Sequence, residues 1–219
     1  MMINFHTHTV SSNNGISVQS LKSTELSKLK ENGLFTIGVH PWESDRDDVD
    51  SVLNEIINLT SRPEVIGIGE IGLDRLQGAS LEKQIEVFVK QICIVDQIKK
   101  PLIIHCVKAW AELLEIKKMT HSVVPWAVHG FRGNPDLAKQ LVSSGFYLSF
   151  GAPLADPAPS LAEALTYTPL DRLFLETDES PVSIGEVYYA ASDILNISVD
   201  DLVEQINANF ATFFGRKPM

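Results

Sequence analysis

Short apolar segments alternate with longer amphipathic segments along most of the chain. The apolar segments are rich in β-branched and aromatic residues and too short for buried helices, so they predict strands. They read MMINFHTH, GLFTIGVHPW, EVIGIGEIGLD, PLIIHC, VVPWAVHGF, GFYLSFG and RLFLETDESP, and GISVQSL is a candidate for one more strand, the second along the chain. Strands that alternate with helical segments predict an α/β fold with a parallel sheet.

The segments between the predicted strands carry apolar residues at helical spacing. Four such stripes stand out: Val49, Val52, Leu53, Ile56 and Ile57; Leu81, Ile85, Phe88, Val89 and Ile92; Leu137, Leu141 and Val142; and Val199, Leu202, Val203, Ile206, Phe210 and Phe213. Ser80 and Ser198 are predicted N-caps, and Gly145 is the predicted residue after a helix C-cap. About eight strands with helices outside them predict closure into a (β/α)8 TIM-type barrel.

The start of the chain interrupts this alternation. Only seven residues separate His8 from Ile16, fewer than a helical crossover between parallel strands needs. We therefore expect the first helix to be missing and the barrel to be irregular at that point. The chain shows no linker and no low-complexity stretch, so residues 1–219 are predicted to form a single domain.

Composition narrows the functional classes. No apolar run is long enough to cross a bilayer and no leader pattern is present, so we expect a cytoplasmic protein without a membrane partner. Cys93 and Cys106 form neither a metal spacing nor a disulfide framework, which favours small buried hydrophobic roles. The formal net charge of −10 argues against an extended basic groove for nucleic acid. A small anionic substrate held by bound cations, and a monomer or weak oligomer, are compatible with it.

Metal-capable side chains recur at the ends of six predicted strands. They are His6 with His8, His40, Glu70 with Asp74, His105, His129 and Asp178. The carboxyl ends of barrel strands meet at one face, so these side chains are expected to converge. Any one of the histidines alone is explained more simply as a core or loop residue, but the joint pattern without cysteine suits a nitrogen and oxygen site for divalent metal. The ligands outnumber those of a single tetrahedral ion, which favours two ions sharing a carboxylate.

The order of these motifs resembles a known family. HTH, GVHPW, GEIGLD, PLIIH, VHGF and LETDESP, in this order, are similar to the motif series of the TatD family of metal-dependent hydrolases, within the amidohydrolase-like barrel superfamily. Weaker features continue the resemblance nearly end to end: QIEVFVKQI, YLSFG and DLVEQINANFATFFG. One HxH alone is weak evidence, whereas six motifs in order are specific.

The resemblance implies a role for each of these residues. His6 and His8 match the ligands of one ion, Glu70 the carboxylate that bridges two ions, and His105 with His129 the ligands of the second ion. Asp178 matches the ligand of the last strand and would accept the proton of a metal-bound water whose hydroxide attacks the substrate. Two divalent ions are expected, with Zn²⁺ or Mn²⁺ favoured and Mg²⁺ as the alternative.

Three further residues are assigned less directly. His40 is expected beside the metals, contacting the substrate, and a role in hydrogen-bonding to the ligands is equally compatible with its position. Asp74 is expected to hydrogen-bond to a ligand or to order its loop. For Glu176, two residues before Asp178, a solvated or structural role is favoured.

The chain also departs from the family pattern. The family usually has Arg two places after the fifth-strand histidine, where this chain has Val107. After Asp178 the family often carries a long loop with an Arg-Gly element, whereas ESPVSIGEVYYAASDIL passes almost directly into a predicted helix. A phosphate-facing Arg and a lid are therefore missing, and Lys108, Arg132 or Arg75 could supply the positive charge.

Three classes of function fit these residues. The first is a phosphodiesterase, specifically a deoxyribonuclease that acts on short or single-stranded ends. The second is a hydrolase of ester or amide bonds, including an aminoacyl deacylase, and the third is a metal-stabilised binding protein without turnover. Because the missing Arg and lid remove contacts that a long nucleic acid would use, we expect small phosphodiesters or short single strands to be preferred over duplex DNA.

Overall fold

The computed structural model describes residues 1–9 and 15–218. It has one eight-stranded sheet in which the strands follow chain order, and every strand pair with a defined register is parallel. The strands are β1 (Ile3–Thr7), β2 (Ile16–Lys22), β3 (Leu34–Gly38), β4 (Val65–Asp74), β5 (Leu102–Val107), β6 (Trp126–Val128), β7 (Phe146–Phe150) and β8 (Leu173–Leu175). The sheet order confirms the predicted (β/α)8 class.

Seven α-helices accompany these strands in the described part of the chain. They are α1 (Val49–Leu59), α2 (Leu81–Ile98), α3 (Trp110–Thr120), α4 (Pro135–Ser143), α5 (Pro159–Tyr167), α6 (Ile184–Leu195) and α7 (Val199–Phe214). Short 3-10 helices lie at Ser23–Lys28, Pro41–Glu43, Ala152–Ala155 and Leu170–Arg172. The helix α6 begins six residues after Asp178, which confirms the direct passage into a helix that the sequence predicted.

The predicted helix signals are confirmed, with one exception in the first stripe. Ser80 accepts a hydrogen bond from the backbone of Lys83, and Ser198 one from Asp201, so both residues are N-caps. Gly145 follows α4 with a φ of +87°, the left-handed conformation that glycine adopts without strain. Ile57 is exposed although it lies in the predicted apolar stripe of α1.

The start of the chain is irregular, as expected. GISVQSL forms β2, and the described residues between β1 and β2 contain no helix. Residues 10–14 of that connection lie outside the described residues, so the expectation of a missing first helix is tested only at 8–9 and 15. The connection from β2 to β3 carries the 3-10 helix Ser23–Lys28 in place of an α-helix.

The chain divides into two compact units. Unit 1 comprises Met1–Gln19 with Ala127–Met219, and unit 2 comprises Ser20–Trp126; the single domain remains a prediction. In unit 1, the Phe5 and Phe174 rings stack with centroids 3.9 Å apart, and Tyr147 and Phe213 pack on the same cluster. Unit 1 also pairs the end of β1 with the segment after β8, through Thr7 and Asp178.

Unit 2 is built on the buried face of α2 against β4. Phe88 and Ile92 are fully buried there. Burying each of these apolar side chains stabilises the fold by roughly 1.5–3 kcal/mol. At Gly72 the backbone has a φ of +140°, and an added Cβ would lie 2.0 Å from the carbonyl oxygen of His105. The close approach of β4 to β5 beside His105 therefore requires glycine at this position.

The two cysteines differ in their surroundings. Cys106 is buried on β5, as predicted, whereas Cys93 is exposed on α2, so the expectation of a buried Cys93 is wrong. Its helix position lies just outside the buried stripe that contains Ile92. No described helix has the length and apolar character needed to span a membrane.

We expect one thiol of the native protein to react rapidly with a disulfide reagent at neutral pH. Burial raises the pKa of the Cys106 thiol to about 12, and the thiolate is the reactive form. Ellman titration should therefore count one fast thiol in native protein and two after denaturation. The C93S variant should show no fast native thiol, and two fast native thiols in the unmutated protein would contradict this burial.

Candidate metal centre

The first group of metal-capable residues comprises His6, His8 and Asp178, which we call the β1/β8 cluster. Backbone pairing explains their proximity, because the Asp178 N–H donates to the His6 carbonyl at 3.0 Å and the Asp178 carbonyl accepts from the His8 N–H at 3.3 Å. Asp178 itself has a φ of +54°, a left-handed conformation that costs little for Asp compared with branched residues. Its carboxylate is thereby held beside both imidazoles.

A buried amide holds the segment that leads to Asp178. The Asn4 side chain accepts from the Thr177 N–H at 2.9 Å and donates to the Thr177 hydroxyl at 2.8 Å. The Thr7 hydroxyl donates to the Asp178 carbonyl at 3.1 Å. These bonds pair backbone and hydroxyl groups that would be costly to bury without partners.

The spacing in the β1/β8 cluster suits metal ligands better than hydrogen-bond partners. Asp178 Oδ1 lies 3.8 Å from His6 Nε2 and 3.6 Å from His8 Nε2. Both distances exceed a good hydrogen bond, but ligands about 2.1 Å from a tetrahedral ion are separated by about 3.4 Å. The three donor atoms therefore fit a divalent ion with little movement.

The ring of His129 stacks on that of His6, with centroids 4.1 Å apart. Its Nδ1 lies 3.4 Å from Glu176 Oε1, which also accepts from the Gly130 N–H at 2.7 Å. Glu176 is completely buried, so its predicted solvated role is wrong and the structural alternative remains. Burial disfavours its charged form, but the contact with His129 and the nearby His6 outweigh burial and hold the pKa of Glu176 below its usual range.

The second group comprises His40, Glu70 and His105, which we call the β4/β5 cluster. Glu70 lies inside β4, and its Oε1 is 2.7 Å from His105 Nδ1 and 3.2 Å from His40 Nε2. All three donor atoms lie within 4.8 Å of one another. The short contact with His105 is a hydrogen-bond distance, so an ion between these two groups would require them to separate slightly.

The hydrogen bonds of His40 define its tautomer. Its Nδ1 accepts a hydrogen bond from the Trp42 backbone N–H at 3.2 Å, so the proton of the neutral ring is on Nε2, which faces Glu70. Burial lowers the pKa of His40, which favours this neutral form. A protonated Nε2 donates to Glu70, so the geometry is that of the predicted hydrogen-bonding role of His40, and its contact with substrate stays a prediction.

Asp74 has the two contacts that the sequence suggested. Its Oδ1 accepts from the backbone N–H groups of Leu76 and Gln77, which orders the loop after β4. Its Oδ2 accepts from the Trp42 indole N–H at 2.7 Å and lies 3.2 Å from His105 Nε2. Burial opposes ionisation of Asp74, but these contacts outweigh it and lower its pKa. A proton on His105 Nε2 leaves Nδ1 with the lone pair that a metal ion needs.

Two buried glutamines of α2 position this cluster, and sequence reasoning did not single them out. Gln91 accepts from the Val39 N–H at 2.8 Å and donates to the Val39 carbonyl at 3.1 Å, immediately before His40. Gln84 accepts from the Asp74 N–H at 2.7 Å and donates to the Asp74 carbonyl at 2.8 Å. The sequence does contain a feature that indicates this role: two polar residues seven positions apart lie on the buried face of a helix.

The donor atoms of both clusters are imidazole nitrogens and carboxylate oxygens, which fit Zn²⁺ or Mn²⁺ and, with more waters, Mg²⁺. The structure brings His6 and His8 to Asp178, and His40 and His105 to Glu70. The assignment of His105 and His129 to one ion, and the bridging role of Glu70, remain predictions.

We expect D74N to weaken binding of one divalent ion by roughly 10- to 100-fold, the usual effect of removing the carboxylate partner of a metal-binding His. The amide nitrogen of the D74N side chain would face the N–H groups of Trp42 and His105. The side chain would then no longer hold the proton of His105 on Nε2. Calorimetric titration of metal-free protein with Zn²⁺ measures the effect. D50N is the matched control, since Asp50 pairs with Lys90 on the surface; equal affinities in the two variants would contradict the role of Asp74.

Comparison with known proteins places the chain in a family. The sequence profile described as TatD related DNase matches residues 4–215. The uncharacterized metal-dependent hydrolase YcfH of Escherichia coli is 30% identical over 204 residues, which cover 84% of this chain and 75% of the relative. The 3'-5' ssDNA/RNA exonuclease TatD of Citrobacter koseri is 30% identical over 152 residues, covering 65% of this chain and 56% of that protein.

Solved structures agree on the fold. YjjV, a TatD homologue from Escherichia coli, has a TM-score of 0.85 at 20% identity and covers 98% of both chains. A TatD family hydrolase from Entamoeba histolytica has a TM-score of 0.78 at 19% identity and covers 97% of both chains. Since the family profile matches nearly the whole chain, a range that includes the residues of both clusters, the chain belongs to the TatD related DNase family and is a metal-dependent hydrolase of that family.

Proposed function

We propose that this hydrolase is a phosphodiesterase that cleaves short single-stranded nucleic acid, DNA in particular, at a two-metal site. The observation that carries the proposal is the β1/β8 cluster, where Asp178 lies at ligand spacing from both His6 and His8. A relative named as an exonuclease of single-stranded DNA and RNA supports the choice of substrate.

In this proposal the site binds two divalent ions, and both clusters contribute ligands. As the family resemblance implies, His6, His8 and Asp178 would hold one ion and His105 with His129 the other, and Glu70 would be a ligand of both. Such ions lower the pKa of water toward neutrality and withdraw charge from the scissile phosphoryl group. His40 and Asp74 orient Glu70 and His105 through the hydrogen bonds described above.

Asp178 is better suited than Glu176 to accept the proton of the attacking water. The Asp178 side chain is 37% exposed. Glu176 is fully buried, and one of its carboxylate oxygens accepts a hydrogen bond from the Gly130 N–H. A proton acceptor must reach the water it deprotonates. Asp178 can do so through Oδ2 while Oδ1 faces the histidines.

We expect metal-loaded protein to hydrolyse short single-stranded oligonucleotides and small activated phosphodiesters faster than long duplex DNA, with weak duplex binding at physiological salt. D178N should lower turnover by at least about 10²- to 10⁴-fold, the range of general-base action, and remain folded. D193N, an exposed Asp on α6, is the matched control. Rates on all substrates are measured with one metal-loaded preparation, and circular dichroism checks the fold.

The alternatives predict different products. Release of carboxylate from acyl substrates without phosphodiesterase activity would indicate an ester or amide hydrolase, such as an aminoacyl deacylase. Absence of any turnover in metal-replete protein would indicate a binding protein. Efficient degradation of duplex DNA at moderate salt, or a fully active D178N variant, would contradict the proposal.

We further expect two divalent ions per chain after loading with Zn²⁺ or Mn²⁺ and removal of free metal. Because a shared carboxylate holds both ions, E70Q should reduce the content of both, whereas E186Q, in the capping box of α6, should leave it unchanged. Elemental analysis of folded protein gives the stoichiometry. One ion or none in unmutated protein would refute the two-metal site, and unchanged content in E70Q would refute sharing.

A further inference from the structure

A cavity of about 280 Å³ opens beside Asp178 within unit 1. It is lined by Gly130–Arg132 after β6, Gly151–Pro153 after β7, and Glu176–Ser180 after β8. These segments all follow the carboxyl ends of strands, where substrates bind in this fold class. A second cavity of unit 1, about 420 Å³ in volume, is lined by Met2, Asn4 and Ile184 among others but by no ionisable side chain, so the smaller cavity is the one suited to a charged ligand.

The structure reduces the choice among the three cations that could replace the missing Arg. The Arg75 guanidinium donates to the Lys108 carbonyl at 3.0 Å and pairs with Glu112, so it is already committed to protein groups. Lys108 is exposed and does not line the cavity at Asp178. Arg132 does line that cavity.

Arg132 forms no ion pair or hydrogen bond with any described residue through its guanidinium. This is notable because Glu176, Asp178 and Glu179 line the same cavity, and a guanidinium placed to neutralise them would be within ion-pair distance. The backbone just before Arg132 is fixed, since the Phe131 N–H donates to the Ser149 carbonyl at 2.9 Å and its buried ring packs on Phe150 with centroids 5.4 Å apart. The guanidinium is thus a charged group on a fixed backbone with its donors available to a ligand.

We propose that Arg132 binds a terminal phosphate of the substrate in this cavity. The inference rests on the proposed phosphodiesterase function, in which an ion at Asp178 offsets the local negative charge. The fork of guanidinium donors matches phosphate oxygens, and such charge-assisted bonds are about twice as strong as neutral ones. Arg132 would then distinguish phosphorylated ends from hydroxyl ends, which contacts to the scissile group alone cannot do.

The test combines a change in the enzyme with a change in the substrate. Thymidine dinucleotides with a 5′-phosphate, a 3′-phosphate or neither are hydrolysed by metal-loaded protein and by R132Q, R132K and K139Q. The control K139Q removes the same charge from α4, where Lys139 lies 3.8 Å from the centre of the Tyr167 ring. Calorimetry also measures binding of the matching thymidine monophosphate and of thymidine to each protein.

We expect unmutated protein to prefer one phosphorylated dinucleotide, with R132Q losing roughly 10- to 100-fold in kcat/KM on that substrate, mainly through KM. The unphosphorylated dinucleotide should change by less than about twofold, R132K should retain part of the preference, and K139Q should retain all of it. The monophosphate should bind R132Q correspondingly more weakly, whereas thymidine should not.

Equal losses on phosphorylated and unphosphorylated substrates would overturn the inference, as would the absence of any preference in unmutated protein. If no dinucleotide is hydrolysed by any protein, the proposed function fails. The binding measurement then still decides the role of Arg132, because unchanged monophosphate binding in R132Q excludes it.

Discussion

The metal-capable residues lie within the strands or shortly after them, and part of the backbone there finds hydrogen-bond partners outside the sheet. Buried amide side chains supply them. Gln91 pairs both backbone groups of Val39, Gln84 pairs both of Asp74, and Asn4 pairs Thr177. An unpaired buried N–H or carbonyl costs about 1–3 kcal/mol, so these bonds fix the backbone at the last residue of β4 and beyond the ends of β3 and β8. His40 directly follows Val39 and Asp178 directly follows Thr177, so these bonds also fix the positions of two residues of the candidate metal centre.

The hydrogen bonds from the amide side chains fix the backbone of the site residues, so each of these residues can contact two neighbouring groups at once. Asp74, held through its backbone by Gln84, uses one oxygen to order its own loop and the other to contact Trp42 and His105. His40, held through Val39, uses one nitrogen for the Trp42 backbone and the other for Glu70. His40 therefore has a defined tautomer before any ion binds. A preset tautomer lowers the cost of organising a metal site.

The sequence predicted the strand order, the main helices and the candidate ligands, because apolar periodicity and histidines at strand ends are local signals. It could not assign Glu176, since only the fold reveals that the side chain of that residue is enclosed beside His129. The sequence did not predict that Cys93 is exposed, because a shift of one position along a helix moves a side chain from the buried to the exposed face. The choice among Arg75, Lys108 and Arg132 likewise depended on contacts with residues distant in sequence.

The two clusters differ in how much they must change to accept an ion. In the β1/β8 cluster the carboxylate and imidazoles are 3.6 and 3.8 Å apart, already beyond hydrogen-bond distance. In the β4/β5 cluster Glu70 Oε1 and His105 Nδ1 lie 2.7 Å apart, so these two groups must separate to accept an ion between them. The His6 side chain is also almost fully buried, so an ion at the β1/β8 cluster would be shielded from water on the side of His6. The exposed side of Asp178 would then be the approach for substrate.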